Sequence, residues 1–353
     1  MKIKLILTFD YELPLGGCTS FDQGLFKPSE ELLALANELK VPIVLFADIC
    51  CALRFKEWDY DFFNSFRQQI HHALETGHDI QLHIHPHWMD SSFENGQFIP
   101  SARFGLSDFK NENQLNIENI ISTSLLELEK ICREVKADYQ CIAYRAGGYN
   151  VEPESRRILT ALSKLGVLYD SSVMPGFFQD YSFSKIDYRK APLLNTWKVP
   201  LQGPLISTTN NAPYIKELPI STMPNSILRI IKRRIYKILH KKKIAQRKYV
   251  NSGKGFKAAA AQSGIFTQLR MMGNPIVLTF DQEHLNAVDL MKIVDYQIQT
   301  HHEQEEIFIT LISHPKSMRP YHLQLMREFI ENLRSRFQNQ IEFITYSHLR
   351  QND

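Results

Sequence analysis

The sequence predicts an α/β fold whose parallel strands form a closed or nearly closed barrel. Short apolar runs rich in β-branched residues alternate with longer segments of helical period, and the alternation resumes near the carboxyl end after a long interruption. Strand–helix–strand order implies parallel strands joined by right-handed crossovers. Seven or eight such units favour a barrel over an open sheet.

In the first half of the chain a predicted helix follows most of the predicted strands. Pro28, Ser29 and Glu30 form a helix-start signal, and Gly166 marks a helix end. The predicted elements are, in order, strand Ile3–Phe9, helix Ser29–Leu39, strand Val41–Ala47, helix Tyr60–Glu75, strand Asp79–Ile84, helix Ile117–Val135, strand Tyr139–Tyr144, helix Pro153–Leu165 and strand Val167–Tyr169.

The alternation is interrupted over residues 176–274, which we interpret as an insertion within a single domain spanning residues 1–353. Residues 176–225 are rich in Pro, Ser, Asn and aromatic residues, with extended pieces at Trp197–Pro200 and Glu217–Ile220, and residues 226–274 begin with a basic helical stretch. The later predicted elements are strand Ile276–Phe280, helix Leu285–Gln299, strand Ile307–Ile312, helix His322–Arg336 and strand Ile341–Thr345.

Composition indicates a globular protein that stays in the cytoplasm. The chain is 44% apolar and 22% charged, and it has neither a run of about 20 apolar residues nor an export-signal pattern after Met1. The five cysteines are odd in number and lack paired CxxC spacing, which favours reduced thiols. The net charge of +3 is unevenly distributed, because thirteen Lys and Arg and no acidic residue lie between Glu217 and Asp281.

Polar residues that end apolar strands are the first candidates for chemistry. The first strand ends in Asp10-Tyr11-Glu12, and strand alternation places the two carboxylates on one face. Adjacent carboxylates repel each other unless a cation, a proton or an arginine lies between them.

A histidine cluster ends the third predicted strand. His83, His85 and His87 lie within five residues, and such a cluster at a strand end is typical of a metal site. The separation of four lets His83 and His87 converge if the chain turns helical near Pro86. Two histidines and a carboxylate match a catalytic zinc or similar divalent site, which lowers the pKa of bound water.

Two further strand ends complete the candidate site. The fourth strand ends in Arg145 and a glycine turn, and the strand Ile307–Ile312 ends in Ser313-His314. Asp48 follows the second strand and is a weaker candidate for lining the pocket. The recurrence of Leu7-Thr8-Phe9-Asp10 as Leu278-Thr279-Phe280-Asp281 is interpreted as strand-end composition, and Asp281 as a helix cap.

These motifs resemble the polysaccharide deacetylase family, also called carbohydrate esterase family four, in order and over about residues 3–172 and 306–346. Thr8-Phe9-Asp10-Tyr11-Glu12 is similar to the family's first motif in an Asp-x-Glu form. Gly77-His78-Asp79-Ile80, leading to His83 and His87, is similar to the second. Arg145-Ala146-Gly147-Gly148-Tyr149 and Ile312-Ser313-His314 are similar to two later motifs.

The resemblance implies a distorted (β/α)7 barrel of the polysaccharide deacetylase type and metal-assisted hydrolysis of an N-acetyl group. It implies Asp10 as general base, His314 as general acid, and Zn²⁺, or another divalent metal such as Co²⁺, Ni²⁺ or Mn²⁺. We assign the metal to Glu12, His83 and His87, with Asp10 as the alternative carboxylate ligand. It further implies that Asp170 tethers His314. We expect Arg145 to orient Asp10 and the Gly148–Tyr149 turn to contact substrate.

The leading functional hypothesis is deacetylation of an N-acetylated, carrier-linked or free sugar during surface polysaccharide synthesis. Another metal-dependent amidohydrolase, an O-acetyl esterase and an inactive saccharide-binding relative stay open. Residues 226–248 carry ten Lys and Arg among regularly spaced Ile and Leu. This pattern leaves open a solvated helix or peripheral contact with an anionic inner membrane surface, and nucleic acid is disfavoured because no aromatic-interleaved motif accompanies the charge.

Overall fold

The protein is represented by a computed structural model that describes most of the chain. It describes residues 1–14, 20–94, 97–111, 113–181, 184–226, 273–281 and 285–350, together with residues 231, 235–236, 238–239 and 271. The predictions made from the sequence for residues 226–248 therefore fall largely outside the described residues.

Fifteen strands are present in the described residues, and most belong to one central sheet. The strands are β1 (Lys2–Tyr11), β2 (Val44–Asp48), β3 (Asp79–Ile84), β4 (Ser92–Glu94), β5 (Gln97–Ile99), β6 (Ala143–Ala146), β7 (Tyr169–Asp170), β8 (Phe178–Tyr181), β9 (Ser184–Asp187), β10 (Trp197–Pro200), β11 (Tyr214–Glu217), β12 (Thr222–Met223), β13 (Ile276–Val277), β14 (Glu306–Ser313) and β15 (Ile341–Phe343).

The central sheet has the order β10-β11-β7-β6-β3-β2-β1-β14, and β15 also pairs with β1. Every pair from β11 to β14 is parallel, and only the β10–β11 pair at one edge is antiparallel. The residues of β2 and β3 are buried throughout, as in a parallel sheet covered on both faces. The predicted α/β class with parallel strands is confirmed.

The two ends of this sheet approach each other at a single point. Ile220, just beyond β11, forms an isolated parallel bridge with Thr310 of β14. The Ser221 N–H donates to the Thr310 carbonyl oxygen at 2.9 Å. The nine strands of the central sheet thus form one mixed sheet, and the contact between its two edges is made by this short segment.

Helices cover the sheet through amphipathic faces. They are α1 (Lys27–Glu38), α2 (Ile49–Trp58), α3 (Tyr60–Glu75), α4 (Ile117–Arg133), α5 (Ser155–Lys164), α6 (Ala287–Thr300), α7 (Pro320–Phe337) and α8 (Tyr346–Leu349). Asp59 caps α3 and Asn116 caps α4 by accepting from backbone N–H groups of the first turn. No helix of the described residues is both long enough and apolar enough to span a bilayer.

The differences between the structure and the predicted elements include the following two. Helix α2 begins directly after β2 and was not predicted, since its apolar residues are buried nearly all round its first turns and show little periodicity. The predicted strand Ile276–Phe280 pairs through β13 with β12 instead of forming a ladder in the central sheet. It touches β14 where the Ile312 N–H donates to the Leu278 carbonyl, and this contact carries Asp281 to the end of β14.

Candidate functional site

The candidate site lies where β1, β3, β6 and β14 end at the same edge of the sheet. Strand alternation turns Tyr11 away from it, because the Tyr11 ring contacts Phe66 at 5.0 Å between centroids and its hydroxyl donates to Gln69 at 2.8 Å. Asp10 and Glu12 consequently point to the other side. Tyr11, which stands where the resembled family has a second aspartate, is a core residue here.

Arg145 is the fixed cation of the site. Its guanidinium is fully buried and donates from Nη1 to Asp10 Oδ1 at 2.7 Å and from Nε to the Ser171 carbonyl at 2.8 Å. It also lies 4.1 Å above the Phe46 ring. Burial opposes its charge, but Asp10 raises the pKa of Arg145 above its usual value. The predicted contact between Arg145 and Asp10 is present, and it holds the carboxylate in one orientation.

Glu12, His83 and His85 form a buried cluster of metal-ligand type. One donor atom of each lies within 4.8 Å of the other two. Glu12 Oε2 is 3.3 Å from His83 Nε2 and in contact with His85 Nε2. Two imidazoles and one carboxylate are the donor set of several catalytic zinc sites. Within the described residues this is the cluster that could hold a cation.

The tautomer of His83 gives a test of whether a cation fits there. His83 Nδ1 lies 2.8 Å from the Arg145 carbonyl oxygen, which can only accept, so Nδ1 carries a proton. The lone pair of a neutral His83 at Nε2 would then face the Glu12 carboxylate. A positive charge, either a proton or a metal ion, is therefore needed between the His83 ring and the carboxylate. The pKa of His83 is raised for the same reason, because burial opposes a charged imidazole but the carboxylates of Asp10 and Glu12 favour it. The residues therefore fit a divalent metal.

In the structure it is His85, and not His87, that lies in the cluster with Glu12 and His83. The extended backbone continues through His85, at φ −105° and ψ 90°, before the short helical turn Pro86–Asp90, so His83 and His85 share a face with period two. His87 is buried beside the Trp88 ring, and neither of its ring nitrogens has a hydrogen-bond partner within the described residues. Burial lowers the pKa of His87 well below its usual value.

Asp48 and Gly147 hold the loop that presents His85. Asp48 accepts from Trp88 Nε1 at 2.7 Å and from the His85 N–H at 3.3 Å, and burial raises its pKa. A Cβ on Gly147 would meet the Ile84 carbonyl oxygen at 2.5 Å and His85 Nδ1 at 2.7 Å. Only glycine allows this approach. Asp48 thus positions the loop instead of lining open space.

The glycine turn after β6 is fixed by a neighbouring hairpin. Gly148 and Tyr149 both have φ near +60°. Ser184 of β9 donates to the Gly148 carbonyl at 2.7 Å, and Tyr188 donates to the Tyr149 carbonyl at 2.5 Å. Burial, followed by the Asp10 charge, raises the pKa of Tyr149 well above 10. The turn is therefore held in one conformation, with the Tyr149 side chain near enough to Asp10 to feel its charge.

His314 is paired with Asp281, which corrects the prediction for Asp170. His314 Nδ1 lies 2.5 Å from Asp281 Oδ2, and its Nε2 lies 3.6 Å from Asp10 Oδ2 and 3.5 Å from Glu12 Oε1. Burial opposes the imidazolium, but Asp281 raises the pKa of His314; burial likewise opposes the Asp281 charge, but His314 lowers its pKa. Asp170 instead contacts Ser172 and Glu217.

The signal for Asp281 was present in the sequence. Its strand end repeats Leu-Thr-Phe-Asp from the end of β1, and in the structure both aspartates lie at the site, facing His314. The helix-cap interpretation was wrong for Asp281, since its carboxylate accepts from the His314 side chain and from Ser313.

Lys316 is a site residue that sequence reasoning missed. Its Nζ lies 2.6 Å from Glu12 Oε1, two residues beyond His314. Burial opposes ionisation of Glu12, but Lys316 and His85 hold its pKa well below the usual value. A lone lysine in a short surface turn gave no signal of this contact, because only the folding of β14 beside β1 brings it to Glu12.

Comparison with known proteins shows the fold of this chain. No protein-family model and no curated protein sequence matches it. A putative polysaccharide deacetylase from Mycobacterium smegmatis is 13% identical, with a TM-score of 0.51 covering 99% of this chain and 90% of that one. A 4-alpha-glucanotransferase from Thermococcus litoralis is 11% identical, with a TM-score of 0.50 covering 100% and 41%. A probable polysaccharide deacetylase from Pseudomonas aeruginosa is 12% identical, with a TM-score of 0.47 covering 99% and 90%.

This chain therefore has the polysaccharide deacetylase fold. Since a glucanotransferase shares it, the fold by itself does not give the activity.

Proposed function

We propose that this protein is a metal-dependent hydrolase that removes an N-acetyl group from an acetylated amino sugar. The observation that carries the proposal is the grouping of Asp10 and the His314–Asp281 pair around the cluster of Glu12, His83 and His85. His314 Nε2 lies within 3.6 Å of Asp10 Oδ2 and 3.5 Å of Glu12 Oε1, so proton acceptor, proton donor and metal ligands meet at one point. The fold shared with polysaccharide deacetylases is consistent with this chemistry.

A divalent ion held by Glu12, His83 and His85 would polarise the substrate carbonyl and lower the pKa of the attacking water. Asp10, oriented by Arg145 Nη1 at 2.7 Å from its Oδ1, accepts the proton of that water at Oδ2. His314 donates a proton from Nε2 to the departing nitrogen. Asp281, paired with Nδ1, orients the ring and stabilises its charged form before the transfer. A backbone amide of the Gly148–Tyr149 turn stabilises the developing oxyanion.

The paired histidine favours an amide over an ester substrate. An amine leaves poorly unless it is protonated, whereas an alkoxide needs less help. Asp281 raises the pKa of His314, so the imidazole is charged over more of the neutral range. This supports an N-acetyl sugar over an O-acetyl ester, and the complete set of groups disfavours the inactive saccharide-binding alternative.

We also propose that the sheet is the distorted (β/α)7 barrel implied by the motifs. The parallel bridge between Ile220 and Thr310 supports closure between β14 and the segment after β11. The metal would be zinc or another divalent ion such as cobalt, nickel or manganese. A cytoplasmic role on an intermediate of surface polysaccharide synthesis remains part of the proposal.

The test is acetate release by the purified full chain. The protein is stripped with a chelator, reloaded separately with zinc, cobalt, nickel or manganese, and assayed on UDP-N-acetylhexosamine, N-acetylated oligosaccharides and an O-acetylated sugar. We expect metal-dependent release from an N-acetyl substrate and a loss of about 10²–10⁴-fold in His314→Ala. His302→Ala, which changes an exposed histidine in the turn after α6, is the matched control. Equal activity with and without metal, or an unchanged rate in His314→Ala, would contradict the proposal.

A further inference from the structure

Two carboxyl groups that take no direct part in the proposed reaction lie side by side in the interior of the protein. Asp170 ends β7 and Glu217 ends β11, and the register of these parallel strands places the two residues opposite each other. Both residues are fully buried, and their side chains are in hydrogen-bond contact. Since two ionised carboxylates can only accept hydrogen bonds, this contact requires a proton on one of them. We call Asp170 and Glu217 the acid pair.

The other hydrogen bonds of the acid pair identify the residue that carries the proton. Asp170 accepts at both oxygens, from the Ser172 hydroxyl at 2.8 Å and from the Ser172 N–H at 3.1 Å. Glu217 accepts at Oε1 from the Val173 N–H at 3.1 Å, and within the described residues no donor reaches its Oε2. Asp170 is therefore the ionised member, and Glu217 carries the proton at Oε2 and donates it to Asp170.

The groups that face the acid pair favour a single negative charge. Burial, followed by the charge of Asp170, raises the pKa of Glu217 well above its usual value, and burial raises the pKa of Asp170 to about 6. The Arg145 charge opposes both shifts, but Arg145 already pairs with Asp10 at 2.7 Å. Burial also raises the pKa of the neighbouring tyrosine hydroxyls, which therefore stay neutral. They belong to Tyr144, Tyr188 and Tyr346.

The residues that directly follow the acid pair hold Arg145. Ser171 accepts from Arg145 Nε at its carbonyl oxygen, at 2.8 Å, and from Arg145 Nη2 at its hydroxyl, at 2.9 Å. The same hydroxyl donates to the Leu218 carbonyl oxygen at 2.9 Å. Arg145 in turn donates from Nη1 to Asp10. The hydrogen bond within the acid pair thus ties together the two strand ends whose next residues hold the guanidinium.

We propose that Glu217 is a positioning residue whose proton ties β7 to β11 and so keeps Arg145 aligned on Asp10. The inference deepens the proposed function and rests on it for its kinetic test, because Asp10 is the base of that reaction. When Glu217 loses its proton to solvent at high pH, two carboxylates face each other in the interior and repel. The strand ends then separate, Arg145 is drawn toward two anions, and Asp10 loses its orientation.

The first test is an NMR titration of the full chain, labelled with ¹³C at the glutamate carboxyl carbons and with ¹⁵N at arginine. Glu217→Gln assigns the Glu217 signal and Arg145→Lys the Arg145 Nε–H signal. We expect Glu217 to be protonated at neutral pH, and the Arg145 signal to shift over the pH range in which Glu217 titrates. In Glu217→Gln, whose amide donates to Asp170 and does not ionise, this shift should disappear. A Glu217 ionised at neutral pH, or an Arg145 signal that does not follow its titration, would overturn the proposal.

The second test is the pH dependence of acetate release by the zinc-loaded protein. The ratio of kcat in Glu217→Gln to kcat in wild type cancels the titration of His314, which both proteins share. We expect this ratio to rise as the pH passes through the titration of Glu217. Glu217→Leu should lose about 10–100-fold in kcat at unchanged KM and unchanged bound zinc, since a base contributes about 10²–10⁴-fold, and Glu217→Gln should recover most of this loss.

Glu303→Gln, which removes an exposed carboxyl group in the turn after α6, is the matched control and should keep the wild-type pH profile. Circular dichroism verifies that each variant is folded, and the wild-type titration decides the protonation of Glu217 without any folded variant. A kcat ratio that is constant with pH would overturn the positioning role. Absence of acetate release from the wild type would instead contradict the proposed function, and the NMR titrations would still decide whether Glu217 holds Arg145.

Discussion

Replacing Asp281 by Asn tests the residue that the structure added to the candidate site. Asp281 Oδ2 lies 2.5 Å from His314 Nδ1, and both side chains are about one-fifth exposed, at 20% and 22%. Asn keeps the shape and an acceptor oxygen but removes the charge. The imidazolium of His314 therefore loses a charge-assisted hydrogen bond, while the neutral imidazole loses little. The pKa of His314 must fall.

The size of the fall follows from the strength of such bonds. A hydrogen bond to a charged group contributes about 1.5–3 kcal/mol, and one pKa unit corresponds to about 1.4 kcal/mol. Asp281→Asn should thus lower the pKa of His314 by about 1–2 units. If His314 is the proton donor, the alkaline limb of activity against pH, on which His314 loses its proton, moves down by the same amount, and the rate at neutral pH falls by up to about 10–100-fold.

The assay is an NMR titration of the His314 ring, assigned by comparison with His314→Gln. Asp90→Asn, which changes an exposed aspartate at the end of the Pro86–Asp90 turn, serves as the control and should leave the His314 pKa unchanged. Bound zinc, measured by elemental analysis, should be the same in Asp281→Asn and wild type. A His314 pKa that stays constant or rises in Asp281→Asn would refute the pairing on which the argument depends.

The same pair gives a pH dependence of stability. The folded pKa of His314 is raised, so its contribution is fully present below about 6.5 and is lost as pH rises through the raised value. The folded pKa of Asp281 is lowered, so its contribution is present above about 3.9 and is lost as pH falls through the lowered value. The difference in unfolding free energy between wild type and Asp281→Asn should be largest between these limits, as measured by urea titration at several pH values.

Three further changes test other parts of the structure. His85→Ala should lose bound zinc while His87→Ala keeps it, since Glu12 Oε2 contacts His85 Nε2. Elemental analysis that shows the reverse would favour the ligand set predicted from the sequence, in which His87 binds the metal. Glu217→Gln should fold normally and lose less stability than wild type as pH rises. Burial raises the pKa of Glu217 well above 4.5 and that of Asp170 to about 6, so ionising this pair costs folding free energy in the wild type. Urea unfolding at several pH values checks this, and parallel pH profiles for the two proteins would contradict it. Gly147→Ala should destabilise the fold by about 1–3 kcal/mol through overpacking, since its Cβ would lie 2.5 Å from a backbone oxygen; an unchanged denaturation midpoint would be inconsistent with that contact.

The site residues at the strand ends could be predicted because an apolar run marks each strand and a polar residue directly follows it. Asp10, His83, Arg145 and His314 each follow an apolar run, and parallel strands bring their carboxyl ends to one edge whatever the loops do. The structure places all four at that edge. The register of β1 against β14, with Phe9 opposite Ser313, fixes Asp10 beside His314.

Residues beyond the strand ends were harder to place from sequence, because the direction of their side chains depends on the conformation of a single backbone turn. Whether His85 or His87 joins Glu12 is decided by whether the chain stays extended through His85, and it does so while Asp48 accepts the His85 N–H. Sequence spacing alone allowed either histidine. Helix α2 escaped prediction for a related reason: its residues Ile49–Ala52 are all buried, so they show no polar face.

The sequence by itself determined the α/β class, the parallel direction of the central strands and the groups available for chemistry, because strand period and strand-end polarity are local properties. Only the tertiary structure decided which groups meet. Asp281 reaches His314 across 33 residues of chain, and Lys316 reaches Glu12 across 304. Such contacts depend on how distant segments pack, since a side chain at a surface turn carries no local mark of the partner that folding brings to it.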